Sequence, residues 1–164
     1  MVETTETARS SDPTDEEIFR PLYSSLRRFA AVVAPTDTEP EDLLQDALVA
    51  TLRRHRFSEL TDPASYLRKV MVNLAANQRR RSATRWKALR LLAASPPDSE
   101  TAYPSDLSEL TWLSPLQRAV LYLNEVEGYR FAEIADMVGC SEPAARMSAS
   151  RARRRLRRAL VGEV

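Results

Sequence analysis

The part of the chain that decides the fold is residues 130–160, RFAEIADMVGCSEPAARMSASRARRRLRRAL. Its first apolar residues recur at helical spacing: Phe131, Ile134, Ala135 and Val138. Gly139 follows as a helix stop, and Ser141 is a typical N-cap residue for the next helix. A short helix, a tight turn containing glycine and a longer basic helix predict a helix-turn-helix, a motif whose second helix enters the major groove of DNA.

The predicted last helix has an apolar side and a basic side. Its small or apolar residues are spaced by three or four positions: Ala145, Ala149, Ala152, Leu156 and Ala159. Seven arginines lie between residues 146 and 158, with no acid among them. A helix dipole favours one or two cations near its C-terminus, not seven. Because a guanidinium can bind guanine or phosphate through two hydrogen bonds, we expect the first turns to reach base edges and the later arginines to bind phosphate.

Charge is distributed unevenly along the chain. The formal net charge of the 164 residues is only +1. Residues 1–17 hold six acids and one base, whereas residues 68–90 hold eight bases and no acid. Together with the last helix this makes two basic blocks, which favour two contact points on a polyanion. A pair of solvated helix faces is the alternative interpretation.

Composition argues against several classes of protein. The longest apolar run falls short of the roughly 18 residues that span a bilayer, and the N-terminus is too acidic for a signal peptide. We therefore expect a cytoplasmic protein with no membrane partner. One cysteine and one histidine supply no internal disulfide and no metal site. No serine is accompanied by the general base, and the residue orienting that base, that a catalytic triad requires, and no phosphate-binding glycine loop occurs. We therefore expect no catalytic residues, no cofactor and no enzyme.

The chain divides into two helical parts. Residues 95–106, SPPDSETAYPSD, have the proline and small polar content of a flexible linker. Residues 1–13 lack apolar periodicity and are predicted to form a disordered acidic tail. The expected fold is all-α, with one small helical domain over 14–94 and a second over 107–164.

Local signals predict where the helices begin. Thr14 with Glu17, and Thr38 with Glu41, have capping-box spacing and predict helices over about 14–34 and 38–56. Two further starts are N-cap residues followed by proline: Asp62 with Pro63, and Ser114 with Pro115. In the second helix, the predicted buried stripe is Leu44, Leu48 and Leu52.

A polar face lies beside that leucine stripe. Its residues are spaced as i, i+3, i+4 and i+7: Asp42, Gln45, Asp46 and Val49. An acid-amide-acid patch with an apolar neighbour is either a solvated face or a protein-docking surface, and the pattern alone leaves both open.

Three segments resemble one protein family in the right order. PEDLLQDALVATLRR, residues 40–54, resembles the second conserved region of bacterial RNA polymerase sigma factors. Residues 113–160, with EGYRFAEIADMVGCSE and SRARRRLRRAL inside them, are similar to the fourth region throughout. YLRKVMVNLAANQRRR, residues 66–81, is similar to the helix that contacts the −10 promoter element. No segment fits a first-region or third-region domain, so the resemblance is to the extracytoplasmic-function (ECF) group.

The resemblance implies a function and three sets of site residues. A sigma factor binds core RNA polymerase and directs promoter-specific initiation, here through a region 2-like domain over 14–94 and a region 4-like helix-turn-helix domain over 107–164. It implies that core polymerase is bound by Asp42, Gln45, Asp46 and Val49, which dock on the clamp coiled coil of the largest subunit. It implies −10 contacts by Arg56, Phe57, Ser58, Asn73, Asn77, Arg80 and Arg81. It implies −35 contacts by Glu142, Arg146, Met147, Ser150, Arg151, Arg154 and Arg155.

The resemblance also implies further partners, and it leaves alternatives. Family members contact the flap region of the polymerase and are commonly held inactive by an anti-sigma protein. They usually have G-T-V-K-S where this chain has Pro143 to Met147, and only the basic position is kept. One alternative is a helix-turn-helix regulator that binds DNA without supporting initiation. Another is a helical adaptor for an acidic protein. The Asp42, Gln45 and Asp46 patch favours the sigma factor, because a simple DNA-binding regulator has no need of it.

Overall fold

The computed structural model describes residues 13–92 and 112–161, and every regular element in these two ranges is helical. In the N-terminal half (residues 13–92) the helices are α1 (Asp15–Phe19), α2 (Tyr23–Val33), α3 (Pro40–Leu52) and α4 (Pro63–Leu92). In the C-terminal half (residues 112–161) they are α5 (Pro115–Leu121), α6 (Phe131–Val138) and α7 (Glu142–Val161). The all-α prediction is confirmed. The predicted linker, 95–106, and all but the last residue of the predicted acidic tail, 1–13, lie outside the described residues.

The first predicted helix forms in two pieces. Thr14 caps α1 as predicted, and the Glu17 carboxylate in turn accepts a hydrogen bond from the Thr14 amide at 2.8 Å. A 3₁₀ turn over Arg20–Leu22 then separates α1 from α2. Pro21 lies inside this turn, and proline removes an amide donor from the helical ladder. The prediction of one continuous helix over 14–34 is therefore wrong at Pro21.

The start and the buried side of α3 also differ from the prediction. Thr38 forms no cap; its hydroxyl lies 3.5 Å from Oε1 of Gln78, while Glu41 pairs with Arg27 on α2. Both residues of the predicted capping box thus form tertiary contacts instead of capping α3. The buried residues of α3 are Leu43, Leu44, Ala47 and Thr51. Leu52 is 46% exposed, so the predicted Leu44, Leu48 and Leu52 stripe is displaced around the helix.

Helix α4 begins where the sequence predicts. The Ser65 amide donates to Oδ1 of Asp62 at 3.0 Å, which makes Asp62 the N-cap, and Pro63 occupies the first helical position. The helix then continues without a break to Leu92. At about 1.5 Å per residue it is roughly 45 Å long.

The C-terminal half contains the predicted helix-turn-helix. Helix α5 is capped by Ser114 and Gln117, and it runs into a π-helical turn, Tyr122–Val126. Gly139 ends α6 with a φ of 71°, a left-handed conformation that favours glycine. Ser141 accepts a hydrogen bond from the Ala144 amide at 3.3 Å and so caps α7. On the inner side of α7, Ala145, Ala149 and Ala152 are fully buried, as the spacing predicts.

The two halves share one hydrophobic core. Helix α5 packs against α2 and α4, and α6 packs against α4. We call this contact surface the junction. Its core joins Phe29 and Leu67 of the N-terminal half to Val120, Leu123 and Ile134 of the C-terminal half. The two predicted domains therefore lie in direct contact within the described residues. None of the described helices combines the length and the hydropathy that crossing a membrane requires.

Candidate functional site

The four residues of the α3 face lie together on the surface of the N-terminal half. We use this name for Asp42, Gln45, Asp46 and Val49, all of which are exposed. Val49 is 49% exposed and Leu52 continues the apolar strip beyond it. Neither acid of the face forms an ion pair with another described residue. Since Leu43, Leu44 and Ala47 fix the opposite side of α3 in the core, the face is a rigid acidic and apolar surface.

Four of the residues implied to contact the −10 element share one side of α4. Asn73, Asn77, Arg80 and Arg81 are spaced as i, i+4, i+7 and i+8, and all four are exposed. The Oδ1 atom of Asn77 accepts a hydrogen bond from the Arg80 guanidinium. Amide groups that can bind base edges therefore lie beside cations that can bind a phosphate backbone.

The segment before α4, residues 56–58, has two exposed residues and one buried residue. Arg56 and Ser58 are exposed, whereas the side chain of Phe57 is buried. Its ring stacks on Phe19 at 6.1 Å between centroids, and its amide donates to Oδ1 of Asp15 at 2.8 Å. The implied −10 contact of the Phe57 side chain does not fit this burial. Phe57 instead anchors the segment that presents Arg56 and Ser58.

The outer side of α7 carries most of the residues implied to contact the −35 element. Met147, Ser150, Arg151 and Arg154 are exposed, and Met147 is 52% exposed. They occupy positions i, i+3, i+4 and i+7 of the helix and lie opposite the buried alanines. Arg151 and Arg154 form no ion pair with the described acids. Their guanidiniums are therefore available for a polyanion.

Three other arginines of α7 bind within the protein. Nε of Arg146 donates to Glu142 at 3.0 Å, and its guanidinium lies 5.1 Å from the centroid of the Phe131 ring. Arg153 donates to Glu125 and to Asn124, at 2.9 and 3.0 Å. Arg155 donates to the backbone carbonyl of Trp112 at 3.1 Å. Glu142, half-buried at the start of α7, thus holds the Arg146 side chain along the helix.

Two arginines, Arg118 and Arg68, bind groups across the junction, and the sequence predicted this role for neither of them. Arg118 of α5 is buried, and it donates to the carbonyls of Val33 and Ala34 at 3.0 and 2.8 Å. These carbonyls end α2 and would otherwise lack helical partners. Burial, with a smaller contribution from the charge of Arg79, lowers the pKa of Arg118 to about 10, so the group is charged at neutral pH. No local pattern in the sequence distinguishes Arg118 from a surface arginine.

Arg68 belongs to the first basic block, yet it faces the junction. Its side chain is 7% exposed and lies 3.7 Å from a carboxylate oxygen of Glu127. Its guanidinium also lies 5.9 Å from the centroid of the Phe29 ring. The prediction that this block contacts a polyanion therefore does not extend to Arg68. The Nε atoms of Arg68 and Arg118 are both buried without a hydrogen-bond partner.

An apolar groove of about 540 Å³ opens beside the junction. Its floor and walls come from α2, α5, the π-helical turn and α7, through Val32, Leu121, Val126, Leu156 and Leu160. Val126 and Leu160 are the two most exposed large apolar side chains among the described residues. The charged side chains in the lining are Arg118, Arg153, Arg157 and Glu125, and Glu125 accepts a hydrogen bond from Arg153.

Comparison with known sequences identifies both halves of the chain. Residues 18–85 match the family described as Sigma-70 region 2, and residues 110–156 match Sigma-70, region 4. The RNA polymerase sigma-E factor of Streptomyces coelicolor is 33% identical over 160 residues, which cover 89% of this chain and 85% of that protein. RNA polymerase sigma factor CarQ of Myxococcus xanthus is 30% identical over 157 residues, which cover 91% and 90%.

Two further proteins are similar to this chain. ECF RNA polymerase sigma factor SigM of Mycobacterium tuberculosis is 29% identical over 150 residues, covering 88% of this chain and 76% of SigM. The fold is similar to that in the co-crystal structure of the sigma factor RpoE with the anti-sigma factor NepR from Bartonella quintana. That match has a TM-score of 0.63 at 23% identity and covers 88% of this chain and 95% of the other.

Proposed function

The chain belongs to the extracytoplasmic-function group of RNA polymerase sigma factors, and we propose that it binds core polymerase through the α3 face and promoter DNA through α4 and α7. It is an alternative sigma factor that directs promoter-specific initiation of transcription. In this proposal it works in the cytoplasm and supplies no catalytic group, because phosphodiester chemistry belongs to the core enzyme. An anti-sigma protein is a further proposed partner, in keeping with the similar RpoE–NepR complex.

The exposed α3 face is the observation that carries the proposal. Two unpaired carboxylates, an amide and an exposed valine on a rigid helix form a surface of the kind that docks on a protein, with an apolar centre and charges that set orientation. We assign Asp42, Gln45, Asp46 and Val49 to the clamp coiled coil of the largest polymerase subunit. The acids require a basic partner surface there.

The groove beside the junction is the proposed site for the flap region. An apolar groove bordered by Arg157 suits an amphipathic helix whose apolar side enters the groove and whose flank carries an acid. Val126 and Leu160 are the side chains that such a helix would cover.

The two DNA-binding surfaces are assigned to the two promoter elements. On α4, the amides of Asn73 and Asn77 would bind unpaired bases of the −10 element, while Arg80 and Arg81 bind the strand's phosphates. Arg56 and Ser58, which are exposed in the segment before α4, are assigned to the same promoter element. On α7, the first turns would enter the major groove at the −35 element, as recognition helices do.

The residues of α7 take three different roles in this assignment. Met147 and Ser150 are the proposed base-reading residues, and Arg151 and Arg154 bind backbone phosphate. Glu142 and Arg146 bind each other, so we assign them to fixing the start of the helix. Arg155 reaches DNA only if it releases the Trp112 carbonyl.

Asp46→Arg tests the polymerase interface directly. Placing a cation against a basic surface costs several kcal/mol, so we expect affinity for core polymerase to fall by more than about 100-fold. The measurement is co-elution with core polymerase of Streptomyces coelicolor, the source of a 33% identical relative. Val126→Glu, which places an acid in the groove, tests the flap assignment in the same assay.

The matched control is Asp136→Arg, since Asp136 is an exposed acid on α6, away from the α3 face. It makes the same change of charge and should leave co-elution unchanged. Normal co-elution of Asp46→Arg would contradict the assigned interface. Run-off transcription on a random promoter library then separates the alternatives, because core binding without promoter-specific transcripts would favour a DNA-binding regulator.

A further inference from the structure

Trp112, which lies two residues before the N-cap of α5, is exposed although its backbone is fixed. The residue as a whole is 55% exposed, whereas the next residue, Leu113, is buried. Ser114 then caps α5. From α7, the Arg155 guanidinium donates a hydrogen bond to the Trp112 carbonyl at 3.1 Å. A backbone held from two directions therefore presents a large aromatic side chain to the surroundings.

The contact with Arg155 places Trp112 on a defined side of α7. On an α-helix, residues four positions apart project about 40° apart, and residues two positions apart project about 200° apart. Arg155 thus projects near Arg151, on the exposed basic side, and away from Arg157, which lines the apolar groove. Trp112 is not among the residues that line the groove, so a helix bound there leaves the indole uncovered.

The surface beside Trp112 is basic. Arg151 and Arg154 form no ion pair with the described acids, and Arg155 donates to neutral oxygens, those of the Trp112 carbonyl and, at 3.4 Å, the Gln117 amide. Such a surface favours an anionic partner. The indole N–H is a donor only, so it suits the acceptor oxygens of phosphate, while the ring can pack on deoxyribose.

The position along α7 indicates which part of a DNA duplex the indole meets. Arg155 lies about two turns, or roughly 12 Å, beyond Met147 on the base-reading turns. The major groove of B-form DNA is also about 12 Å wide, and a phosphate backbone borders it on each side. With the first turns of α7 in the groove, Trp112 is therefore level with a bordering backbone and not with base edges.

From these observations we propose that Trp112 binds the sugar-phosphate backbone of the promoter duplex beside the −35 element, and that Arg155 positions it through the Trp112 carbonyl. This inference rests on the proposed function, because it needs α7 to bind the −35 element. It extends the DNA-binding surface from the helix-turn-helix to the residues that precede α5. Backbone contacts carry no sequence information, so the indole adds affinity and fixes the orientation of α7 without altering which bases are read.

Photocrosslinking in the holoenzyme tests the contact directly. The photoreactive residue p-benzoylphenylalanine replaces Trp112, and in the matched control it replaces Val126, which is also exposed and apolar but lines the groove. Each protein is assembled with core polymerase of Streptomyces coelicolor and irradiated on a selected promoter. We expect position 112 to crosslink to DNA beside the −35 element, well above the DNA crosslinking from position 126. A crosslink from position 112 to a polymerase subunit, or equal DNA crosslinking from both positions, would overturn the proposal.

The same crosslink tests the positioning role of Arg155. Arg155→Ala removes the donor to the Trp112 carbonyl and should lower the DNA crosslink from position 112 severalfold. Arg155→Lys, whose ammonium group can donate to the same carbonyl, should restore most of it. An unchanged crosslink in Arg155→Ala would show that Arg155 does not position the indole.

Affinity measurements separate the indole from the arginines. Trp112→Ala should lower the affinity of the holoenzyme for promoter DNA about tenfold, and Trp112→Phe, which keeps a ring but has no N–H donor, about threefold. Because the indole is neutral and releases no counterion, the slope of log affinity against log salt should stay at the wild-type value. Circular dichroism and co-elution with core polymerase should both be unchanged. Wild-type affinity, or a reduced salt slope, in Trp112→Ala would contradict the proposed contact.

Failure of this contact is distinguishable from failure of the proposed function. If the unmodified chain gives core polymerase no promoter-specific binding, the proposed function fails and the role of Trp112 fails with it. If the unmodified holoenzyme binds promoters and Trp112→Ala binds them equally well, only the indole contact is wrong.

Discussion

Arg151, Arg154 and Arg158 lie on the exposed side of α7, whereas Arg68 and Arg118 are buried at the junction between the two halves. The exposed set has no acidic partner among the described residues, and its charges are available to a polyanion. The buried set is bound to carbonyls, to a carboxylate and to an aromatic ring. The number of arginines in a segment therefore indicates its capacity to bind DNA only when the buried arginines are left out.

The same difference separates binding from stability. An exposed arginine contributes little to the folded state, because water solvates it as well as the protein does. A buried arginine that satisfies helix-end carbonyls contributes through those hydrogen bonds and through the packing of its stem. Alanine substitution should therefore lower DNA affinity when it is made in the exposed set, and lower the free energy of unfolding when it is made in the buried set.

The largest expected effect is on stability, from Arg118→Ala. The change leaves the carbonyls of Val33 and Ala34 without donors and opens a cavity at the junction, so the free energy of unfolding should fall by about 2 kcal/mol. Urea denaturation followed by circular dichroism measures it. Arg154→Ala, the exposed control, should change stability by less than about 0.5 kcal/mol. Equal effects of the two substitutions would remove the distinction between the two sets.

Patterns that depend on near neighbours predicted much of this structure correctly. The Thr14 capping box, the helix start at Ser114 and Pro115, the Gly139 stop and the alanine side of α7 depend on residues no more than four positions apart. The capping box at Thr38 failed because Gln78 and Arg27, distant in sequence, contact its two residues. A local pattern holds only where tertiary contacts leave it intact.

The candidate site also has a part that the sequence predicted and a part that depends on tertiary contacts. Helical spacing predicted which residues of α7 are inward and outward and grouped the four residues of the α3 face, and the resemblance supplied the role of that face. Neither the spacing nor the resemblance indicated that Phe57 is buried. Neither indicated that Arg68, a residue of the first basic block, is buried at the junction. Those positions depend on how the two halves pack, and the predicted linker, residues 95–106, carries no periodicity from which that packing could be derived.

A smaller effect is expected on DNA affinity, from Arg151→Ala. Losing one phosphate contact should reduce the slope of log affinity against log salt by about 0.9, and affinity at moderate salt by about fivefold. Titration of promoter DNA by holoenzyme at several salt concentrations measures both. The control is Arg153→Ala, since Arg153 binds Glu125 and Asn124 instead. A changed slope for Arg153→Ala, or an unchanged one for Arg151→Ala, would contradict the assignment.

The smallest expected effect concerns the apolar residue among the exposed arginines of α7. Met147 is 52% exposed on the base-reading turns, and an apolar side chain in the major groove can contact the methyl group of thymine. Replacing thymine by deoxyuridine in the −35 element of a selected promoter removes only that methyl group. At the one contacted position, affinity should fall about threefold to fourfold, since a buried methyl contributes about 0.8 kcal/mol.

Met147→Ala makes this measurement specific. The variant should bind the thymine and deoxyuridine promoters equally, because the side chain that contacts the methyl group has been removed. The salt slope should stay at the wild-type value, since Met147 binds no phosphate, which separates this effect from that of Arg151→Ala. If the variant still distinguishes the two promoters, another residue contacts the methyl group. In that case Met147 is only a surface side chain, and the assignment of base reading to it is wrong.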